Sequence, residues 1–259
     1  MAKPAKEICI HNISMVCDFL HSITKIVPSG RFNITNQKCS VNAYTLDKTG
    51  RMYFNTNSIT AIVDDGEYIE FNFKDISNLI KSLKLINSIE QIDSVVLKFD
   101  NKSIIYKNEV KFKLKTVEAV MLDEIYTNPI TVELKSLISI DTSINQIKQV
   151  LRNLSIVCLK DDDVKVYLTQ KPDSNIVIAE LDDRLNTYQD SIGIPIGTTT
   201  NQINELLCVK ITTFRDIGVV ESDKINISYT DKKVLEITSK IEDNGYYTSL
   251  RGIMPLLKN

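Results

Sequence analysis

Ile69-Glu70-Phe71-Asn72-Phe73-Lys74-Asp75-Ile76 and Val209-Lys210-Ile211-Thr212-Thr213-Phe214-Arg215-Asp216-Ile217 read as one device used twice, with a one-residue adjustment. Each begins in the alternation of a strand with one wet face. Each then runs through Phe, a basic residue and Asp into an Ile that opens a helical segment. Asp75 stands where a carboxylate suits a helix N-terminus. A second match follows in the same order: Val96-Leu97-Lys98-Phe99-Asp100-Asn101-Lys102 against Ile225-Asn226-Ile227-Ser228-Tyr229-Thr230-Asp231-Lys232, each a strand entering a tight polar turn. Two matches in one order point to a duplicated domain.

Outward from these junctions, most of the chain alternates. Strands are predicted over 31–35, 39–44, 52–54, 68–73, 95–99, 104–106 and 110–114, and again over 130–134, 156–159, 164–168, 176–181, 206–211, 225–229, 234–238 and 246–250. Four segments carry a helical period. The stripes are Ile13/Val16/Cys17/Leu20/Ile23/Val27, Ile76/Leu79/Ile80/Leu83/Ile86 and Leu137/Ile140/Ile144/Ile147/Leu151, with a short fourth helix from Thr213 to Glu221. Asp182-Asp183 opens a stretch to Gln202 that reads as a surface loop. The alternation lapses near Ala119 to Pro129, and Asn128-Pro129 marks a break. The expected organisation is a domain over 1–118, a connector over 119–129 and a similar domain over 130–259.

The chain has 259 residues, 43% of them apolar and 25% charged, which suits a soluble globular protein of one large or two ordinary domains. Its net charge of −2 argues against binding nucleic acid with the whole surface. Cys9, Cys17, Cys39, Cys158 and Cys208 are scattered and odd in number, as expected of buried thiols in a reducing, intracellular compartment. Met1 to Lys6 does not read as a signal peptide, and no apolar run is long enough to span a membrane.

Catalytic constellations are not evident. His11 and His21 are the two histidines, and no zinc-ligand spacing, phosphate-cradling Gly loop or nucleophile elbow occurs. The acidic runs Asp64-Asp65 and Asp161-Asp162-Asp163 read as turn chemistry between strands. An enzyme is therefore not expected, nor a metal or other cofactor. The informative charges lie on the helices: Lys25, Lys74, Lys81, Lys84, Lys148, Arg152 and Arg215 stand off the apolar stripes, and the compensating acid lies in turns and loops. A basic helical face on an otherwise acidic protein suits loose contact with a phosphate backbone.

With the duplicated order, the junctions Phe73-Lys74-Asp75-Ile76 and Phe214-Arg215-Asp216-Ile217, and the stretch Lys38-Cys39-Ser40-Val41-Asn42-Ala43, the chain resembles the DNA sliding clamps. These are proliferating cell nuclear antigen and, more closely, the trimeric clamps of tailed bacteriophages. The resemblance implies an α+β DNA clamp fold: two similar domains, each with two helices packed on antiparallel β-sheets, closed head to tail into a homotrimeric ring around duplex DNA. It implies that the edge strands Val110 to Val117 and Asn175 to Leu181 pair between neighbours, through Val110, Phe112, Leu114, Ile176, Ile178 and Leu181. It implies a partner pocket at Val120, Met121, Leu122, Ile125, Tyr126 and Pro129 of the connector, with Tyr246 and Tyr247. The partners implied are a DNA polymerase, other replication proteins and an ATP-dependent clamp loader, with the host cytoplasm as the setting for a phage protein.

Two other readings stand beside it. A monomeric viral processivity factor holding DNA on a basic face predicts a more basic chain. A β-rich viral structural or interaction protein accounts for the strands but not for the repeated basic helices.

Overall fold

The structure is a computed structural model that describes residues 6–26, 30–44, 50–73, 75–100, 102–116, 133–157, 164–181, 192–205, 207–212, 215 and 224–257. Its contacts divide the chain into two compact units, Met1–Thr131 with Ile241–Leu250, and Val132–Lys240 with Arg251–Asn259.

The first unit runs β1 (Lys6–His11), α1 (Ile13–Ile26), β2 (Gly30–Ile34), β3 (Cys39–Tyr44), β4 (Arg51–Thr56), β5 (Ile59–Ile62), β6 (Ile69–Phe73), α2 (Ile76–Glu90), β7 (Ser94–Phe99), β8 (Ser103–Lys107) and β9 (Lys111–Lys115). These strands form the antiparallel orders β5-β1-β7-β8-β9 and β4-β3-β2-β6. Both follow from alternation: in β4, Met52, Phe54 and Thr56 are buried, and in β7, Val95, Leu97 and Phe99 are. Phe71 joins the two sheets. Its ring stacks at 5.4 Å on Phe32, its cross-strand partner, and lies 5.3 Å from Phe99 of the other sheet. Such ring contacts add to the stabilisation from burial itself.

The two helices of this unit pack side by side. Asn12, at φ 52°, accepts the Met15 N–H at 3.0 Å and starts α1; Asn tolerates that left-handed backbone. Asp75 does the same for α2, accepting the Ser77 N–H at 2.9 Å and so satisfying a donor that has no partner within the helix. Ile76, Leu79, Ile80, Leu83 and Ile86 form the buried face of α2, the stripe that the sequence spacing predicts.

The second unit runs β10 (Ser136–Thr142), α3 (Ile144–Val157), β11 (Lys165–Gln170), β12 (Ile176–Leu181), β13 (Ile192–Thr199), β14 (Leu207–Lys210), β15 (Ile225–Thr230), β16 (Val234–Asp243) and β17 (Tyr246–Pro255). The tip of the β16–β17 hairpin, Ile241–Leu250, belongs to the first unit. The strand order is β14-β11-β12-β13-β10-β15-β16-β17. Set against the first unit, β14-β11-β12-β13 repeats β6-β2-β3-β4, and β10-β15-β16-β17 repeats β1-β7-β8-β9. One strand, β13, does the work of both β4 and β5. It pairs with β12 along Ile192–Thr198 and reaches β10 through Thr198 and Thr199.

Four sequence expectations are corrected here. The third helical stripe was set one element too early: Leu137 and Ile140 lie in β10, whose Ile138, Ile140 and Thr142 are the buried positions. The helix starts only after Ser143, whose hydroxyl accepts the Gln146 N–H at 3.3 Å and whose carbonyl accepts the Ile147 N–H at 3.0 Å. Ile156 and Val157, expected in a strand, are the last residues of α3. The stretch expected to be a loop up to Gln202 contains β13, in which Ile194 and Ile196 are buried on the period of a strand. The expected strand 130–134 does not continue into Glu133 and Leu134, which precede β10. The fourth predicted helix falls mostly outside the described residues.

Gly197 is where β13 crosses towards β10. A Cβ there would stand 2.2 Å from the Asp141 carbonyl oxygen and 3.2 Å from Thr142 Cβ. Backbone cannot yield as a flexible side chain does. Gly197→Ala is expected to destabilise the protein by about 1–3 kcal/mol in urea unfolding, with Gly66→Ala, where a Cβ meets nothing within 4 Å but φ is +85°, as a strained but uncrowded reference.

Candidate functional site

The helix faces carry the candidate phosphate contacts. On α2, Lys81 and Lys84 are exposed, one turn apart and away from the buried stripe, with Asn78 beside them. Burial raises the Cys17 thiol of α1, and the Lys84 charge on the neighbouring helix acts against that rise. Lys25 is exposed in the last turn of α1, where a cation suits the C-terminal end of the dipole. On α3 of the second unit, Lys148 and Arg152 are exposed and four residues apart, with Asn145 on the same side, opposite buried Ile144, Ile147 and Val150. Arg215 is exposed. Lys74 lies outside the described residues. Lys81, Lys84 and Lys148 form no ion pair among the described residues. These groups are long, flexible point charges, suited to screened contact with phosphates and not to reading bases.

The strand edges are the second feature. β9 ends its sheet, with β8 on one side. Lys111, Lys113 and Lys115 are exposed, while Phe112 and Leu114 point to the half-buried face, Phe112 with its ring 5.8 Å from Tyr106. Val110, buried, sits at the turn before β9. A clasp from the end of α2 fixes that turn: Glu90 accepts from the Tyr106 hydroxyl at 2.5 Å, the Asn108 amide at 2.9 Å and the Val110 N–H at 2.9 Å. Burial alone would raise the Glu90 carboxyl, but these three donors together bring it below the ordinary carboxylate range.

The second expected edge is a correction. β12 is paired on both sides, with β11 through Val166–Gln170 and with β13 through Ile192–Thr198. Its N–H and C=O groups are therefore taken up, and Ile176, Ile178 and Leu181 do not lie on an open edge. The strand with one described partner over Ile192–Ile196 is β13. Pro195 fits that position, since a strand proline is tolerated at an edge. The period of Ile192, Ile194 and Ile196 signalled the strand, and Gly193, Pro195 and Gly197 between them suggested a loop instead.

Of the expected partner pocket, Val120, Met121, Leu122, Ile125, Tyr126 and Pro129 lie outside the described residues. Tyr246 and Tyr247 are half-buried in the hairpin tip, where Tyr246 meets the end of β1 and Tyr247 the end of β4. Tyr246 stacks on His11 at 5.6 Å. The Tyr247 N–H donates to Asn57 Oδ1 at 2.6 Å, and its carbonyl accepts from Thr56 Oγ1 at 2.8 Å and from the Asn57 N–H at 3.3 Å.

Cys17, Cys39 and Cys208 are buried free thiols and Cys9 is half-buried. Burial pushes the Cys17 thiol up to about 11 and Cys39 further still. Among the described residues no three His, Cys, Asp or Glu side chains gather as a metal site, and no helix is long and apolar enough to cross a membrane.

No family model matches the sequence, and no curated protein matches it. Solved structures do. The proliferating cellular nuclear antigen from Entamoeba histolytica superposes with a TM-score of 0.72 at 12% identity, covering 98% of this chain and 99% of that one. The A. fulgidus PCNA bound to the C-terminal region of FEN-1 superposes with a TM-score of 0.68 at 14% identity, again over 98% and 99%. The chain has the α+β DNA clamp fold.

Glu90 also makes the fold sensitive to acid. Its folded value is depressed, so its contribution is present above the unfolded value and is lost as pH falls through the folded one. Stability measured by urea midpoint is expected to hold above about pH 5 and to decline below it. In Glu90→Gln the midpoint is expected to be lower at neutral pH and to fall less on acidification. An unchanged acid profile in that variant would remove Glu90 from the account.

Proposed function

We propose that the protein is a DNA sliding clamp. Copies of the chain join head to tail into a closed ring, duplex DNA threads the hole, and the ring tethers a polymerase and other replication proteins to it. The observation that supports this reading is the duplicated clamp fold, which overlaps two PCNA structures over nearly the whole chain. The organisation that goes with it is a domain over 1–118, a connector over 119–129 and a domain over 130–259, three copies to the ring, in the setting of a tailed-phage protein.

The mechanism is topological. A closed ring stays on DNA without tight affinity, so its inner face needs only weak contacts. Lys25, Lys81, Lys84, Lys148, Arg152 and Arg215, which are exposed, supply them together with Lys74. Each acts as a screened charge that exchanges one phosphate for the next. Catalysis is no part of this role, and opening the ring falls to an ATP-dependent loader. The connector residues Val120 to Pro129, with Tyr246 and Tyr247, hold partner segments. The A. fulgidus PCNA carries the C-terminal region of FEN-1, and the polymerase offers a comparable segment here.

Ring closure runs between β9 of one copy and β13 of the next, in place of β12. The internal repeat supports this. β17, the last strand of the second copy, brings its tip along β4, and β9 and β13 are the counterparts of β17 and β4.

Two measurements test the reading. Light scattering over a dilution series should give the mass of three chains, and a single-chain mass at every concentration sinks the ring. Linear duplex incubated with the protein and then ligated into a circle should retain it through a low-salt wash with excess competitor duplex, while unligated duplex releases it; equal retention on both would leave only a surface binder. Replacing Lys81, Lys84 and Lys148 together by Glu should weaken equilibrium binding to unligated duplex at low salt and flatten its salt dependence by about one unit of slope per lysine.

A further inference from the structure

β9 presents a row of like charge with little to balance it. Its three exposed positions are Lys111, Lys113 and Lys115, and Lys111 stands directly across from Lys107 of β8. Like charges directly opposite on one sheet face repel. The one ion pair given to these four lysines among the described residues is Lys113 with Asp100, at 3.9 Å and with Lys113 62% exposed, which counts for little in water. Lysines on an edge strand discourage pairing with any neutral strand that drifts past. They admit a partner that brings carboxylate to the same face.

β13 carries a feature that answers this requirement. Gly193 is exposed and pairs with Glu180 of β12. Without a side chain at 193, Glu180 leans into the space: its Cγ lies 3.4 Å and its Oε1 3.7 Å from where a Cβ would stand. The glycine therefore leaves room for the Glu180 carboxyl group beside β13. A larger residue at 193 would also meet Ile178 at 2.8 Å.

We propose that Glu180, laid over Gly193, and the β9 lysine row of a second copy form a charge-matched latch that selects the β9–β13 contact between copies. This rests on the ring reading and adds to it the residues that set register and salt response. The seam between copies is then charged, and the assembly loosens as salt screens the latch.

The test uses the full chain in light scattering across protein and NaCl concentrations, with circular dichroism melts to confirm folding. The wild type should lose mass towards the single chain as NaCl rises. Glu180→Lys, and separately the triple change of Lys111, Lys113 and Lys115 to Glu, should each raise the concentration for half-dissociation about tenfold or more at low salt. The chain carrying both sets should recover much of its association, because the charges are exchanged and still opposite. Glu180→Gln, the milder variant, should weaken association and reduce its salt dependence. If the wild type associates and these variants associate equally well, the latch is wrong and the ring reading survives. Failure of the combined chain to recover also overturns the latch. A wild type that stays a single chain in low salt overturns the ring reading itself.

Discussion

An antiparallel sheet that does not close on itself leaves a row of N–H and C=O groups along each outer strand, and most of this chain's architecture follows from where those rows go. β4 is met at its end by the β16–β17 tip, fixed by the double exchange between Asn57 and Tyr247. β14 is met by the chain's last turn, where the Leu257 N–H donates to the Cys208 carbonyl at 2.9 Å. β9, and β13 over its first residues, keep one strand neighbour among the described residues. Duplication produces this asymmetry: the second copy can lend its last strand to the first, but the first copy's last strand has no third copy within the chain to lend itself to.

The core supports this arrangement by making each sheet's register unambiguous. A one-residue slip in β4 or β7 would exchange Met52 and Phe54, or Leu97 and Phe99, for polar neighbours. Phe71 ties the two sheets of the first unit together through Phe32 and Phe99, and its unit carries all the described Phe–Phe contacts. The described core of the second unit is mostly Ile, Val and Leu, with Tyr167 and Tyr229 also buried. The merger of two strand roles into β13 requires Gly197, the position where strand and neighbouring backbone approach too closely for any side chain.

Much of this was legible because alternation over five or six residues is a strong signal, and β3 and β12 have the bounds that it predicts. Legibility failed where two periods coincide. Leu137, Ile140 and Ile144 fit a helix at spacings of three and four, while Ile138, Ile140 and Thr142 fit a strand at spacing two. The strand wins because β10 has partners on both sides and Leu137 is left 44% exposed. Ser143-Ile144-Asn145-Gln146 was the local sign of the helix start. At β13 the turn-forming residues outweighed the isoleucine period, although glycine and proline also belong on a strand that is an edge and makes close approaches. The second edge, Asn175 to Leu181, came from the resemblance to the clamps and not from the alternation, which does not distinguish an edge strand from an interior one. The helix lysines were legible because an exposed face is what remains once the apolar stripe is assigned; the connector residues lie outside the described part of the chain.

A basic inner surface and a charged seam make opposite demands on the same ions. Contacts that let a ring slide must be weak, numerous and replaceable, which suits lysines spread singly over exposed helix faces. Contacts that keep it closed must be few and directional, which suits one carboxylate seated over a glycine and aimed along an edge. A chain of net charge −2 can still place lysines together on helix faces and on β9, although Asp18 lies on α1 and Glu90 ends α2. On the proposed clamp reading, salt acts twice, loosening the grip on phosphate and the seam between copies. The backbone pairing and the half-buried Phe112 and Leu114 on the other face of β9 are the part of closure that salt leaves intact. A ring governed by those terms opens by local loss of charge contacts before it loses its fold.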